Sequence, residues 1–156
     1  MIKFLFSIIL IFISHKLNAQ LPSNSINLIT QEINDVRSVG LRCGGTYMPP
    51  VHKIYWHEKL YNVSLEYATY MRDNDHFAHL SKEGDDAGIR LDKIGYKWKF
   101  VGENIAMGQH DFHEVMKDWI KSESHCKMLM SNNMFHFAVA RNKEYWVQTF
   151  ATPMRR

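Results

Sequence analysis

The chain has 156 residues and a formal net charge of +3, and 46% of its residues are hydrophobic. This length suits one domain with a single core, and the hydrophobic content excludes an intrinsically disordered chain. Without residues 1–19 the chain holds 17 basic and 16 acidic residues, a balance too close to neutral for a nucleic-acid-binding protein.

Residues 1–19 have the pattern of a secretion signal. Lys3 supplies a positive start, residues 4–13 are apolar except for Ser7, and Ala19 is the small residue that cleavage requires. The apolar run is short for a membrane-spanning helix, so we expect cleavage near Ala19, with an uncleaved anchor as the alternative. The sequence therefore predicts a secreted or periplasmic protein with no transmembrane segment after cleavage.

Helical spacing of apolar residues dominates the first half of the remaining chain. A polar lead over residues 20–25 precedes a predicted helix that Ser25 caps and Gly40 ends. Residues 42–50 contain two glycines and two prolines and are expected to form a loop. A second helix is predicted over residues 57–74, with a long polar connection after it.

The second half of the chain mixes strand and helix patterns. A short helix is expected to end at Gly95, and alternating aromatic and lysine residues over 96–100 predict a half-buried strand. A third main helix is predicted to begin at Asp111, with Glu114 at capping-box spacing. Two further strands, joined at Asn142 and Lys143, complete a domain over residues 26–153, which we assign to the α+β class with a small antiparallel sheet.

The nine histidines are the first candidates for chemistry, since imidazole is a common metal ligand and proton carrier. His76 with His79, and His110 with His113, have a spacing that suits a metal, but neither pair has an evident third ligand. Solvated surface positions are the alternative for His110 and His113. We expect surface or packing positions for three others, namely His52, His57 and His136.

Glu103 stands out because apolar residues flank it between Gly102 and Gly108. A carboxylate in such a place must be paired or have a raised pKa. The alternative is a structural carboxylate that accepts backbone N–H bonds. No Gly-x-Ser-x-Gly turn and no His-Glu-x-x-His motif occurs in the chain.

The chain contains two cysteines, Cys43 and Cys126. In an exported protein an even number of cysteines favours a disulfide, which here would close a loop of roughly 80 residues and contribute on the order of 4 kcal/mol. Two buried thiols are the alternative. A thiol nucleophile activated by His125 is disfavoured, because neighbouring residues point in different directions and exported cysteines are usually oxidised.

Several short motifs, taken together and in order, resemble the CAP superfamily of cysteine-rich secretory proteins, antigen 5 and pathogenesis-related proteins, in its bacterial style. The matching pieces, which span nearly all of the chain after Ala19, are Asn34 with Arg37, Trp56-x-x-x-Leu60, Phe77-Ala78-His79, Gly95-Tyr96, Gly102-Glu103-Asn104-Ile105-Ala106, Trp119-x-x-Ser122 with His125-Cys126, and Tyr145-Trp146-Val147-Gln148-x-Phe150. The resemblance implies a three-layer α-β-α sandwich around an antiparallel sheet, and an exported location.

The resemblance also implies a cleft lined by two histidines and two glutamates that can hold a divalent metal. Transferred by motif, His79, His125 and Glu103 are the candidate zinc ligands, and Asn104 and Ser122 complete the expected ligand cleft. Ser122 stands nearest to the position of the second glutamate, and Glu123 lies one residue away from it.

From the resemblance we expect a non-catalytic binding module for a small molecule, a lipid or an extracellular protein, with no required cofactor. The alternative is a metal-assisted peptide or ester hydrolase in which Glu103 is the candidate catalytic base. A structural protein of the cell wall or matrix with an inert cleft is a third hypothesis.

Overall fold

The structure, a computed structural model, describes residues 23–154. The predicted secretion signal and the first residues of the polar lead lie outside the described residues. The elements in chain order are α1 (Ser23–Val39), β1 (Leu41–Cys43), β2 (Thr46–Met48), β3 (Tyr55–Trp56), α2 (Glu58–Asp73), α3 (Ala87–Lys93), β4 (Trp98–Met107), α4 (Phe112–Lys121), α5 (Glu123–Leu129), β5 (His136–Asn142) and β6 (Tyr145–Pro153).

A four-stranded sheet with the order β3-β5-β6-β4 forms the middle layer. The β4–β6 and β5–β6 pairs are antiparallel, whereas the short edge strand β3 pairs with β5 in parallel. The predicted α+β sandwich is confirmed, with the addition of this parallel edge pair. Among residues 23–154 no helix has the length and apolar character needed to cross a bilayer.

Alternating residues of the central strands bury opposite faces of the sheet. Phe137 and Val139 pack on one face with α1 and α4, while Ala138 and Ala140 pack on the other face with α2 and α3. The small alanine side chains leave room for Leu60 and Tyr61 of α2, which are both buried there. Helices on both faces therefore produce the three layers.

The helix starts follow side-chain capping. Asp111 caps α4 by accepting a hydrogen bond from the Glu114 N–H at 2.8 Å, as the sequence predicted. Glu114 reaches back to the N–H of His110 at 2.7 Å, so the reciprocal bond is made one residue earlier than in a standard capping box. Helix α1 begins at Ser23, ahead of the predicted cap at Ser25.

The structure differs from the predicted elements in three places. Residues 42–50 are not all loop, because β1 and β2 form an antiparallel hairpin there, with Gly44 in the turn at φ +58°. Strand β4 does not end at Phe100 but runs to Met107, with its whole second half paired to β6. A separate short helix, α5, follows α4 and contains His125, whereas the sequence predicted no helix there.

The predicted disulfide between Cys43 and Cys126 is confirmed, and it joins β1 to α5. Both cysteines are fully buried, together with Met130. Arg37 reinforces the same region, since its guanidinium donates to the carbonyls of Leu129 at 2.6 Å and His52 at 2.9 Å. Burial lowers the pKa of Arg37 to about 10.

Candidate functional site

His79 and Glu103 form a hydrogen-bonded pair between the α2–α3 connection and strand β4. The distance from His79 Nδ1 to Glu103 Oε1 is 2.9 Å. The Glu103 side chain is 5% exposed, whereas that of His79 is 54% exposed. The fold therefore buries the carboxylate and presents the imidazole to solvent.

Arg90 of α3 occupies the second oxygen of the same carboxylate, with 2.5 Å between Arg90 Nη2 and Glu103 Oε2. Its Nη1 donates to the carbonyl of Asp85 at 2.8 Å, and the guanidinium lies 3.4 Å from the ring centre of Tyr67. Sequence reasoning missed Arg90, because nothing in the spacing of α3 distinguishes it from a surface arginine. Glu103 is thus paired by an ion pair rather than by the backbone N–H groups of the structural alternative.

Tyr67 fixes the other side of this network. Its hydroxyl donates to the carbonyl of Ala78 at 2.6 Å, one residue before His79. Burial raises the pKa of Tyr67 to about 12, so the hydroxyl keeps its proton and its donor role near neutral pH. The ring, Arg90 and Glu103 together hold the segment that carries His79.

The carboxylate sets the tautomer of His79. Because an ionised carboxylate only accepts hydrogen bonds, Nδ1 of His79 must carry the proton in this pair. In the neutral imidazole Nε2 then has the free lone pair, and it can accept a hydrogen bond or bind a cation. His79 and Glu103 border an open pocket of about 290 Å³, whose other lining residues are Asp86, Ala87, Gly88, Val101 and Gly102.

His125 lies on α5, near enough to His79 for their charges to interact. Burial, and secondly the charge of His79, lower the pKa of His125. His125 is therefore neutral at neutral pH, which suits a ligand or hydrogen-bonding role.

The other residues expected in the cleft have different surroundings. Asn104 is 1% exposed, and its Nδ2 donates to the carbonyl of His125 at 3.2 Å and to Gln148 Oε1 at 3.0 Å. It therefore holds α5 against the sheet rather than lining the pocket. Ser122 precedes α5 and makes no side-chain capping bond, and Glu123 pairs with Lys127 at 2.6 Å.

The expected zinc ligands His79, Glu103 and His125 are not grouped as a three-ligand site in the described residues. Within the described part of the chain, no three His, Cys, Asp or Glu side chains are grouped to hold a metal ion. Both oxygens of Glu103 are already bonded, to His79 and Arg90. Each oxygen of Glu103 keeps a further lone pair, so zinc binding by His79, Glu103 and His125 stays a prediction.

The remaining histidines separate into surface contacts and one cluster. His76 bonds the Leu80 carbonyl at 2.8 Å, and His113 bonds Glu32 of α1 at 2.9 Å. The rings of His57 and His136 lie 4.5 Å apart, and Tyr96 Oη lies 2.7 Å from His136 Nδ1. The two histidines are packing residues as expected, but no pattern in the sequence indicated that they pack on each other.

Comparisons with known proteins agree with this architecture. The sequence model of the cysteine-rich secretory protein family, CAP, matches residues 30–150. The membrane protein YlbC of Bacillus subtilis is 29% identical over 98 residues, which are 63% of this chain and 28% of YlbC. The chain thus spans well under half the length of this relative.

Two solved structures have a similar fold. An extracellular protein of Bacillus anthracis that contains an SCP domain superposes with a TM-score of 0.66 and 24% identity, over 85% of this chain and 44% of that chain. An outer surface protein of Borrelia burgdorferi superposes with a TM-score of 0.72 and 19% identity, over 85% of this chain and 95% of that chain. At such identities the likeness concerns the fold.

Proposed function

The chain belongs to the cysteine-rich secretory protein family, CAP, and from that premise we propose that it is an exported, non-catalytic binding module. Its ligand is a small polar molecule, held in the pocket beside His79 and Glu103. The extracellular and outer-surface proteins with a similar fold, and the signal-like residues 1–19, support the exported location.

The proposal rests on the two hydrogen bonds that Glu103 accepts, one at each carboxylate oxygen. A general base must reach its substrate directly or through one water, whereas the Glu103 side chain is only 5% exposed and each of its oxygens accepts one hydrogen bond, from His79 and from Arg90. The carboxylate therefore orients the imidazole and leaves Nε2 as the polar contact offered to a ligand. A hydroxyl or amide N–H of the ligand is the matching donor.

The experiment is a titration of the ¹⁵N-labelled chain with two probes, N-acetylglucosamine and N-acetylalanine amide, followed by amide chemical shifts. We expect shifts at pocket residues such as Gly88, Val101 and Gly102, and their loss in His79→Ala. His76→Ala is the matched control, because that imidazole bonds the Leu80 carbonyl and does not line the pocket. Shifts from neither probe, or shifts unchanged in His79→Ala, would refute the binding site.

Catalysis is tested separately. The wild-type chain, His79→Ala and Glu103→Ala are compared with and without added zinc on casein and on p-nitrophenyl acetate. Our proposal expects equal and negligible rates in all three proteins. A zinc-dependent rate that both substitutions abolish would favour the metal-assisted hydrolase instead.

Lipid binding is the second candidate, and a separate apolar groove favours it. The groove lies between α1 and α4, encloses about 590 Å³ and is lined by residues that include Leu28, Val36, Met116 and Ile120. Lys117 lines the same groove and can pair with the carboxylate of a single-chain fatty acid, whereas Glu32 and Asp35, which also line it, oppose that charge. Loss of oleate binding in Ile120→Trp, but not in His79→Ala, would assign lipid to this groove.

A further inference from the structure

One end of the central sheet carries a row of exposed apolar side chains. Phe100 of β4 is directly opposite Thr152 of β6, so their side chains share a face. Phe135, which immediately precedes β5, donates its N–H to the carbonyl of Ala151 at 3.2 Å and thus lies on the other side of β6. Tyr55 of β3 extends the row, with its ring centre 5.2 Å from that of Phe135.

These side chains protrude into solvent although they are large and apolar. Tyr55 is 53% exposed, Phe135 is 43% exposed and Phe100 is 36% exposed. Met154 follows β6 at the same end and is 59% exposed, with its N–H bonded to the carbonyl of Lys97 at 3.0 Å. We call Tyr55, Phe100, Phe135 and Met154 the aromatic end; a group of this kind marks an interaction surface.

The charges around the aromatic end have one sign. The four segments that meet there contain three lysines and no aspartate or glutamate; the segments are 51–57, 95–102, 130–139 and 149–154 and the lysines are Lys53, Lys97 and Lys99. The rest of residues 23–154 hold 12 basic and 16 acidic residues. Glu58 and Glu103, which directly follow two of these segments, are bonded to Trp56 and Arg90. The unpaired positive charge therefore lies at the aromatic end, and the rest of the domain is net negative.

Lysine and aromatic side chains also interleave at short range. Lys99 Nζ lies 5.3 Å from the ring centre of Phe100. Lysine stems of this kind cover apolar surface while the ammonium group stays in water. The sequence continues with Arg155 and Arg156, which add two more positive charges directly after Met154.

We propose that the aromatic end docks this protein on the surface of an anionic lipid bilayer. Protruding aromatic rings accompanied by lysines suit a membrane surface, whose negative charge is laterally uniform. The rings insert into the bilayer while the lysines contact lipid headgroups. A protein interface instead uses both signs of charge to fix its register, and seats its aromatic anchors in pockets. An acidic protein or polymer partner is accordingly the disfavoured occupant.

The experiment is co-sedimentation of the purified chain with vesicles of phosphatidylcholine alone, or with about 30% phosphatidylglycerol, at about 0.1 M salt. We expect partitioning only into the anionic vesicles and release at about 0.5 M salt, because the Debye length shortens. Since each lysine near such a surface is worth about fivefold in partitioning, Lys97→Gln with Lys99→Gln should weaken it at least tenfold. Tyr55→Ser with Phe135→Ser should weaken it as much.

Matched controls separate this surface from general charge and from unfolding. Lys121→Gln with Lys127→Gln removes two cations from α4 and α5, and Val39→Ser removes an exposed apolar side chain from the end of α1; neither should change partitioning by more than about twofold. All variants are checked for unchanged thermal melting. Equal partitioning into both kinds of vesicle, no partitioning, or an equal loss in the lysine control would overturn the proposal. So would soluble poly-L-glutamate that binds the chain while vesicles do not.

Discussion

Arg90 and Glu103 form a buried ion pair, with 2.5 Å between Nη2 and Oε2 and with side chains 11% and 5% exposed. His79, which is largely exposed, bonds the opposite oxygen of the same carboxylate. The carboxylate is thus held from the interior by a fixed cation, and it holds a solvent-facing imidazole in turn. The orientation of His79 therefore depends on Arg90, which acts through Glu103 and also donates to the backbone carbonyl of His79 at 3.3 Å.

Replacing Arg90 with methionine should destabilise the protein strongly. The change leaves Glu103 as a buried carboxylate without its cation, a loss that typically costs about 3–5 kcal/mol. Urea unfolding of Arg90→Met against the wild type measures it. Lys93→Met is the matched control on the same helix, because the Lys93–Asp85 pair is 61% and 24% exposed and contributes little. Equal losses in the two variants would contradict a special role for the buried pair.

Adding Glu103→Gln to Arg90→Met should recover part of that loss. The neutral amide no longer needs a counter-charge, so the double variant should be less destabilised than the sum of its two single changes. The double-mutant cycle on urea unfolding gives the coupling energy, which we expect to exceed about 1 kcal/mol. A coupling energy near zero would mean that Arg90 acts through packing on Tyr67 alone.

Breaking the Cys43–Cys126 bridge should also lower stability. The two cysteines are 83 residues apart, and closing such a loop contributes about 4–5 kcal/mol in the chain-entropy model. Cys43→Ser with Cys126→Ser should therefore lower the thermal midpoint by well over about 10 °C. The wild type should gain two alkylation adducts by mass only after reduction. A wild type that is alkylated without reductant would remove the bridge from this explanation.

Family resemblance predicted that His79 and Glu103 share a cleft, but the sequence did not predict the hydrogen bond between them, since the two lie 24 positions apart and no local pattern joins them. The helix faces were more direct. Leu60, Val63 and Met71 recur at helical spacing, and all three are buried in α2. Helical periodicity predicts the buried residues of α2 because one face of the helix packs against the sheet and the opposite face is exposed to solvent.

The structural features that the sequence did not predict have physical explanations. The predicted strand ended at Phe100 because Gly102 and Glu103 are poor strand formers. In the structure, pairing with β6 and the ion pair with Arg90 stabilise these two residues in β4. Helix α5 has only seven residues, too few for an apolar periodicity to be recognised, although Ser122 and Glu123 are typical of a helix start. Arg90 is identified only by where α3 lies in space.

The His57–His136 cluster should make stability fall at acidic pH. Burial, and secondly the charge of His57, lower the pKa of His136 from 6.5 to about 4, so its neutral form is favoured in the folded protein. The unfolded chain therefore binds the proton more readily. The stabilisation is complete above about pH 6.5 and is lost as the pH falls from there to about 4.

His136→Asn tests this dependence, since its amide oxygen can still accept a hydrogen bond from Tyr96. Unfolding free energies at about pH 7.5 and about pH 4.5 should differ less in His136→Asn than in the wild type. His110→Asn, at an exposed position, should keep the wild-type dependence. If His136→Asn retains the wild-type pH dependence of the unfolding free energy, as His110→Asn should, carboxylates elsewhere cause the acid sensitivity.

Asn104 links the central sheet to α5, and removing its side chain should loosen that link. It is adjacent to Glu103 in β4, yet it bonds Gln148 and the carbonyl of His125 on the opposite side of the strand. Asn104→Ala leaves both buried acceptors without this donor, which should cost about 2 kcal/mol in unfolding free energy. Because α5 loses its tie to β4, the imidazole resonances of His125 should shift while those of His113 stay constant. Asn133→Ala, at an exposed position, is the control, and His125 resonances that are unmoved in Asn104→Ala would show that the disulfide alone positions α5.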